Sequence, residues 1–249
     1  MGRTRVNAHA FRGRRHMRDN DGDDDVFMDI EDTGPSSDDT KVFTGPLSRW
    51  PSWDYAGPAL LVYALFITMS VLYWQTSLRD LLWISGESFF SEKQFWRGIT
   101  SIAVHADAVH LLSNTPLFII FGWLLHAYFG KALFPAASLM AGVISAVMTV
   151  WIYEPNVRLV GASGMVYGMA ALWLVFFIRY DSDRRVPVRI IRAIGFALVI
   201  LAPTVYNPST SYLAHAIGFL AGSVIAVALL PFIRPRREFM ERPAEEIAE

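Results

Sequence analysis

Long apolar runs separated by polar loops dominate the chain from residue 58 onward. Several of these runs reach the ~20 residues that a helix needs to cross a bilayer. The pattern predicts six membrane helices, at about 58–74, 109–129, 134–151, 161–178, 190–205 and 212–233. We therefore expect an all-α membrane protein built as a six-helix bundle.

The connection after the first run, residues 75–108, is too polar to span a membrane. Its stretches 78–84 and 89–96 carry Leu, Trp and Phe between polar groups. This pattern is typical of short helices that lie in the membrane interface, where aromatic rings anchor. It predicts a long interfacial first loop.

Composition and charge divide the 249 residues into three parts. Hydrophobic residues make up 53% of the chain, and the formal net charge of −1 hides charged ends around nearly uncharged runs. Residues 1–49 are basic up to Arg18 and acidic from Asp19 to Asp39, which predicts a disordered tail. Residues 50–233 are the expected helical domain, and 234–249 a short charged tail.

The sequence gives no support for cysteine chemistry, for a nucleic-acid partner or for a signal peptide. The chain has no cysteine, which excludes disulfides, thiolate metal sites and a cysteine nucleophile. Only the basic first 18 residues favour nucleic acid, so no nucleic-acid partner is expected. Residues 1–40 hold no apolar core of signal-peptide length, so no such peptide is expected.

Lysine and arginine near the helix ends predict the orientation. With the N-terminus inside, the inner segments hold far more of these cations than the outer segments, which contain Arg79, Lys93, Arg97 and Arg158. We therefore expect a multi-pass protein of the cell membrane with both termini in the cytoplasm.

Four polar side chains within the membrane runs stand out, because strongly polar groups are costly there and indicate function. They are His110 and Asn114 in the second run, Ser163 in the fourth and His215 in the sixth. With the predicted orientation these three runs all begin on the outer side, so the four residues share one depth in the outer half of the membrane. His110 and Asn114 are four apart and lie on one helical face.

Small residues predict that two of these polar groups meet. Ala214, Gly218 and Gly222 form one small-residue stripe, and Gly164 with Gly168 forms another; such faces let helices approach closely. If the fourth and sixth runs pack through them, His215 becomes a neighbour of Ser163. Neutral histidine suits removal of the serine proton near pH 7.

The remaining polar groups complete a possible acyl-transfer site. No Asp or Glu lies in the six runs, so a serine–histidine dyad is expected, with Tyr167 stacked on the imidazole. The His110 ring, the Asn114 amide and the Ser163 backbone N–H are candidate donors to an oxyanion. Alternatively, His110 and Asn114 are hydrogen-bonding contacts between helices.

These motifs together resemble the rhomboid intramembrane serine proteases over about residues 55–233. The matching residues are Trp96-Arg97, His105, His110 with Asn114, Gly161-Ala162-Ser163-Gly164, and Ala214-His215 with Gly218 and Gly222. The resemblance implies a six-helix rhomboid-like bundle of the basic prokaryotic type, with a cavity open to the outer face.

The resemblance also implies a role for each motif. Ser163 would be the nucleophile and His215 the general base, while His110 and Asn114 would line the oxyanion hole. Trp96-Arg97 would shape the first loop, and His105 would have a structural or water-organising role. The fifth helix with residues 207–211 would form the gate for a transmembrane substrate.

The predicted function is that of a serine endopeptidase cleaving single-span membrane proteins near the outer face, without a metal or cofactor. Its partners would be those substrates and the lipid bilayer. The chief alternative is a non-catalytic protein of the same fold that binds membrane-protein clients. A third is a small transporter or metal-ion carrier using His105, His110 and His215.

Overall fold

The computed structural model describes residues 47, 50–181, 184–201 and 210–240. The chain divides into two units, 1–41 and 42–249, and every described residue belongs to the second. The predicted N-terminal tail therefore lies outside the described residues apart from Leu47, and so do residues 241–249 of the predicted C-terminal tail.

The described chain is helical. Its helices are α1 (Gly57–Gln75), α2 (Arg79–Leu82), α3 (Arg97–Ala103), α4 (Ala108–Phe129), α5 (Ser138–Ile152), α6 (Ser163–Tyr180), α7 (Val186–Leu201), α8 (Tyr212–Leu229) and α9 (Arg237–Met240). Within the described ranges there is no strand, and one isolated β-bridge pairs Ile84 with Leu159. The expected all-α class is confirmed.

Four helical segments are long and apolar enough to cross a membrane: Trp53–Gln75, Ala108–Ile152, Ser163–Tyr180 and Tyr212–Leu229. The second contains both α4 and α5, and the chain turns between them where Gly130 has φ +74° and Phe134 is extended (φ −130°, ψ 123°). For this reason α5 begins at Ser138, four residues after the predicted start. The predicted fifth run corresponds to α7, but its residues 202–205 lie outside the described part.

Apolar side chains cover the outside of the helices. Leu61 on α1, Val199 on α7 and Val224 on α8 are 73%, 75% and 69% exposed. Apolar surface of this extent is rare on proteins surrounded by water and normal on helices surrounded by lipid. The chain is therefore a multi-pass integral membrane protein.

The first loop is folded around the buried guanidinium of Arg97. Its Nη1 donates to the Trp83 carbonyl oxygen and its Nη2 to the Asp80 carbonyl oxygen, at 2.7 Å each. The guanidinium carbon Cζ lies 4.5 Å from the centre of the Trp83 ring. The indole of Trp96 is 51% exposed and donates to the Leu81 carbonyl. These bonds hold residues 80–83 against the start of α3. The second α-helix of the loop begins at Arg97 rather than within the predicted stretch 89–96. A π-helical turn, Glu87–Ser91, lies before it.

The segment after α8 packs against the end of α4 that is remote from Ser163. The Arg236 backbone N–H donates to the Tyr128 carbonyl at 2.8 Å, and its guanidinium donates to the His126 carbonyl at 3.2 Å. Phe239 is 8% exposed and its ring lies 4.4 Å from that of Tyr128. The first residues of the predicted C-terminal tail are therefore part of the folded domain.

Helix α6 is the centre of the bundle and contacts α3, α4, α5, α7 and α8. Its contact with α8 runs through backbone. A Cβ on Gly218 would lie 2.9 Å from the Gly164 carbonyl carbon, and one on Gly222 would lie 2.7 Å from the Gly168 Cα. No side chain larger than hydrogen fits there. The predicted packing of the fourth and sixth runs through their small residues is therefore present.

We expect Gly222→Ala to destabilise the protein by about 2 kcal/mol, because the new methyl group must push α8 away from the Gly168 backbone. Unfolding in mixed detergent micelles measures the loss. Gly195→Ala on α7 is the matched control, since a Cβ there meets nothing within 4 Å. That variant should be unchanged or gain less than about 1 kcal/mol. Equal effects would contradict a rigid α6–α8 contact.

Candidate active site

Ser163 is the first residue of α6 and follows a loop held against the first loop and α3. Leu159 and Ile84 exchange backbone hydrogen bonds at 2.8 and 3.1 Å, and the Gly161 N–H donates to the Ser101 carbonyl at 2.8 Å. Gly161 has φ +119°, a conformation that side chains rarely adopt. The backbone leading to Ser163 is therefore fixed from both sides.

His105 joins three parts of the chain behind this loop. Its ring Nε2 accepts from the Ala162 backbone N–H at 3.2 Å, so we assign the proton to Nδ1, which lies 3.1 Å from the Ser70 hydroxyl on α1. Its carbonyl accepts from the Trp74 indole at 2.8 Å. The side chain is fully buried, and this burial, with a smaller contribution from the nearby His110, lowers the pKa of His105 to about 3. Neutral His105 thus links α1 to Ala162, the residue before Ser163, by hydrogen bonds.

His110 covers the Gly161 backbone. A Cβ on Gly161 would lie 2.7 Å from the ring Cε1, and the ring meets His105 edge to face at 5.2 Å. Asn114 donates from Nδ2 to the His110 carbonyl at 3.0 Å. Because an amide nitrogen has two protons, the second remains for another acceptor. His110 and Asn114 therefore lie on one face of α4 beside the Ser163 loop.

His215 lies in the first turn of α8, across the glycine contact from Ser163. Its ring stacks on Tyr167 with 4.1 Å between ring centres and 12° between planes, and it meets Tyr212 edge to face at 6.0 Å. Tyr167 in turn donates its hydroxyl to the Ile200 carbonyl of α7 at 3.0 Å. Among the described residues no direct hydrogen bond joins Ser163 to His215. Catalytic hydrogen bonds of enzymes without substrate are often long and tighten only in the complex.

The remaining predicted motif residues have separate places. Gly164, Gly218 and Gly222 form the α6–α8 contact. Trp96 and Arg97 shape the first loop and do not touch Ser163 or His215 in the described structure. In the described part of the chain, His105, His110 and His215 do not form a group able to hold a metal ion.

Sequence reasoning missed Ser145 on α5, which touches both sides of the site. Its side chain is 1% exposed and donates to the Ala214 carbonyl at 2.6 Å, immediately before His215. A Cβ on Gly164 would lie 2.8 Å from the Ser145 Cβ. The signal in the sequence is a stripe of small and hydroxyl residues along one face of α5: Ser138, Gly142, Ser145 and Thr149.

A second missed contact lies at the C-terminal end of α5. The Tyr153 hydroxyl lies 2.9 Å from the Ser211 hydroxyl, and Ser211 also accepts from the Ala214 N–H at 3.2 Å as the N-cap of α8. Two contacts therefore attach the first turn of α8, which carries His215, to α5: one joins Ser145 to the Ala214 carbonyl, and the other joins Tyr153 to Ser211.

Comparison with known proteins identifies the family of this chain. A model of the Rhomboid domain matches residues 92–232, more than half of the chain. The chain belongs to the rhomboid family.

The similarity of the chain to individual relatives agrees with this family assignment. The chain is 28% identical over 137 residues to "Putative rhomboid protease YdcA" of Bacillus subtilis (strain 168), covering 53% of this chain and 66% of the relative. It is 26% identical over 145 residues to "Rhomboid-like protease 3" of Toxoplasma gondii (57% and 52%). It is 28% identical over 155 residues to "RHOMBOID-like protein 7" of Arabidopsis thaliana (60% and 47%). The match thus spans between about half and two thirds of these relatives' lengths.

The buried, neutral His105 predicts a specific loss of stability in acid. Since its pKa falls from 6.5 to about 3 on folding, the unfolded chain binds the proton more readily, and its contribution is lost as the pH drops from about 6.5 toward 3. Between pH 7.5 and pH 5 this costs about 2 kcal/mol.

Unfolding of the native chain and of His105→Gln at both pH values measures this effect. We expect the native protein to lose about 2 kcal/mol more than the variant, whose amide does not titrate. An equal loss in the two proteins would show that His105 is not held neutral by the fold.

Removal of the Ser145 hydroxyl should weaken the attachment of α8. We expect Ser145→Ala to lower the free energy of unfolding by about 1 kcal/mol, the usual effect of one buried hydrogen bond. Thr149→Val is the control one turn along α5, because the buried Thr149 hydroxyl has no partner among the described residues. That isosteric change should be neutral or stabilising, and an equal loss in both variants would refute a special role for Ser145.

Proposed function

We propose that this rhomboid-family chain is an intramembrane serine endopeptidase that cleaves transmembrane-helix substrates near the outer membrane face. The observation that carries the proposal is the backbone contact of Gly164 with Gly218. Ser163 directly precedes Gly164, and His215 lies on the same turn of α8 as Gly218. The proposed nucleophile and the proposed base thus lie on facing turns of α6 and α8, next to the backbone contact of these two helices.

The chemistry proposed for this pair is acyl transfer. His215 accepts the hydroxyl proton while the Ser163 oxygen forms a bond to the scissile carbonyl carbon, whose oxygen becomes an oxyanion. Collapse breaks the carbon–nitrogen bond, the amine leaves with the proton from His215, and an acyl-enzyme ester remains. Water, deprotonated by His215, then attacks the ester carbon; the bond between that carbon and the Ser163 oxygen breaks, His215 returns the proton to the serine oxygen, and the carboxylic acid product leaves.

Three donors are candidates for the oxyanion. The Ser163 N–H belongs to the first turn of α6, where backbone N–H groups have no partner within the helix. The second amide proton of Asn114 and the His110 ring lie on the neighbouring face of α4. Donors fixed in a site that excludes bulk water supply much of the stabilisation in such reactions.

Tyr167 takes the place of a carboxylate in orienting the base. The stretches forming α4, α6 and α8 contain no Asp or Glu. The stack of Tyr167 on His215 fixes the plane of the imidazole instead. The site is therefore a dyad supported by an aromatic ring.

The proposal includes the membrane arrangement. α1, α4, α5, α6, α7 and α8 would be six spans, with both termini in the cytoplasm of a cell whose plasma membrane holds the protein. Single-span membrane proteins would reach the site beside α7, and small residues are expected at the cut. Of the gate residues 207–211, only 210 and 211 lie within the described part of the chain.

Ser163→Ala separates catalysis from client binding. We expect cleavage of a model transmembrane substrate by the purified protein to fall at least about a thousandfold. A fluorophosphonate probe should label Ser163 in the native chain and label nothing in the variant. Ser223→Ala, which removes a hydroxyl bonded only to the Phe219 carbonyl, is the control and should keep activity and labelling.

Persistent cleavage by Ser163→Ala, or labelling of another serine, would refute the site assignment. A native chain that binds the substrate but neither cleaves it nor takes the probe would favour the non-catalytic alternative.

A further inference from the structure

A cavity of about 430 Å³ opens between α6, α7 and the end of α8. It is lined by Val175, Ile178, Arg179, Val186, Arg189 and Leu230. Arg179 lies sixteen residues after Ser163 on the same helix, about 24 Å along its axis. The cavity is therefore at the opposite membrane face from the candidate active site and is independent of it.

The lining of this cavity carries positive charge. Residues 179–192 contain five arginines and two aspartates, and the lining itself contains two arginines and no carboxylate. Arg179 is exposed, with its guanidinium 5.1 Å from the centre of the Tyr180 ring. In the described part of the chain neither Arg179 nor Arg189 is paired with a carboxylate.

Arg189 is held in place by backbone. Its Nε donates to the Arg184 carbonyl at 2.7 Å and its Nη1 to the Ile178 carbonyl at 2.8 Å. Among the described residues the Nη2 group has no hydrogen-bond partner and can bind a ligand. A guanidinium fixed in this way loses little freedom when it binds an oxyanion, and its planar donors suit phosphate.

The other four lining residues are aliphatic, so the cavity pairs two cations at its mouth with apolar walls. An anionic phospholipid has the complementary structure, a phosphate attached to acyl chains. An acidic peptide would bring unpaired backbone groups against the aliphatic walls, which is unfavourable at membrane depth.

We propose that this cavity binds one anionic phospholipid, with its phosphate between Arg179 and Arg189 and an acyl chain against Val175, Ile178 and Leu230. Basic pockets between membrane helices at a headgroup layer have the chemistry for such ligands. The bound lipid fills the space between α6 and α7 and holds the end of α7 against the bundle.

Native mass spectrometry of the delipidated full chain tests this proposal, with phosphatidylglycerol and phosphatidylcholine of identical acyl chains as probes. We expect one phosphatidylglycerol to be retained in preference to phosphatidylcholine. Arg179→Gln should weaken its binding about fivefold to tenfold. Arg185→Gln removes the same charge from an exposed residue outside the lining and should change binding less than about twofold.

A second variant tests the acyl-chain part without changing charge. Val186→Trp fills the cavity from an exposed position at the start of α7, so it should lower phosphatidylglycerol binding while the protein stays folded. Equal retention of the two lipids would overturn the proposal. So would equal losses in Arg179→Gln and Arg185→Gln, which indicate diffuse attraction, or full binding by Val186→Trp.

Discussion

The backbone contact between α6 and α8 is the constraint on which the rest of the structure depends. Helices in a membrane gain no hydrophobic free energy by leaving lipid, so close van der Waals packing and hydrogen bonds must hold them together. Gly164 and Gly168 meet Gly218 and Gly222 with no side chain between them, so the α6 and α8 backbones are in contact close to Ser163 and His215.

The α6–α8 contact fixes how closely these two helices approach, and hydrogen bonds to other helices hold the backbone near Ser163 and His215. Ser145 attaches α8 to α5 beside His215, and His105 attaches the backbone before Ser163 to α1. Each of these polar groups is buried and bonded, as low-dielectric surroundings require. The backbone next to Ser163 and next to His215 is thereby supported from helices that carry neither residue.

Much of the fold was predictable because lipid imposes a simple rule on the sequence. Apolar runs bounded by polar loops predicted α1, α4, α6 and α8 within a few residues, whereas Phe134 delays the start of α5. The stripes of small residues likewise predicted that α6 and α8 pack closely. The partners of His105 and Ser145 were not predictable, because they lie 57 and 69 residues away and depend on which helix faces meet.

Helix α7 packs on α6, and its one described side-chain hydrogen bond to α6 near the site involves Tyr167. The Tyr167 ring stacks on His215 while its hydroxyl bonds to the Ile200 carbonyl of α7. A displacement of α7 therefore acts on the same ring that orients the imidazole, whereas Ser163 is held by α1 and the first loop. Motion of α7 would change the orientation of the proposed base without moving the nucleophile. The proposed substrate access at α7 and the alignment of the proposed dyad would thus be joined through one tyrosine, Tyr167.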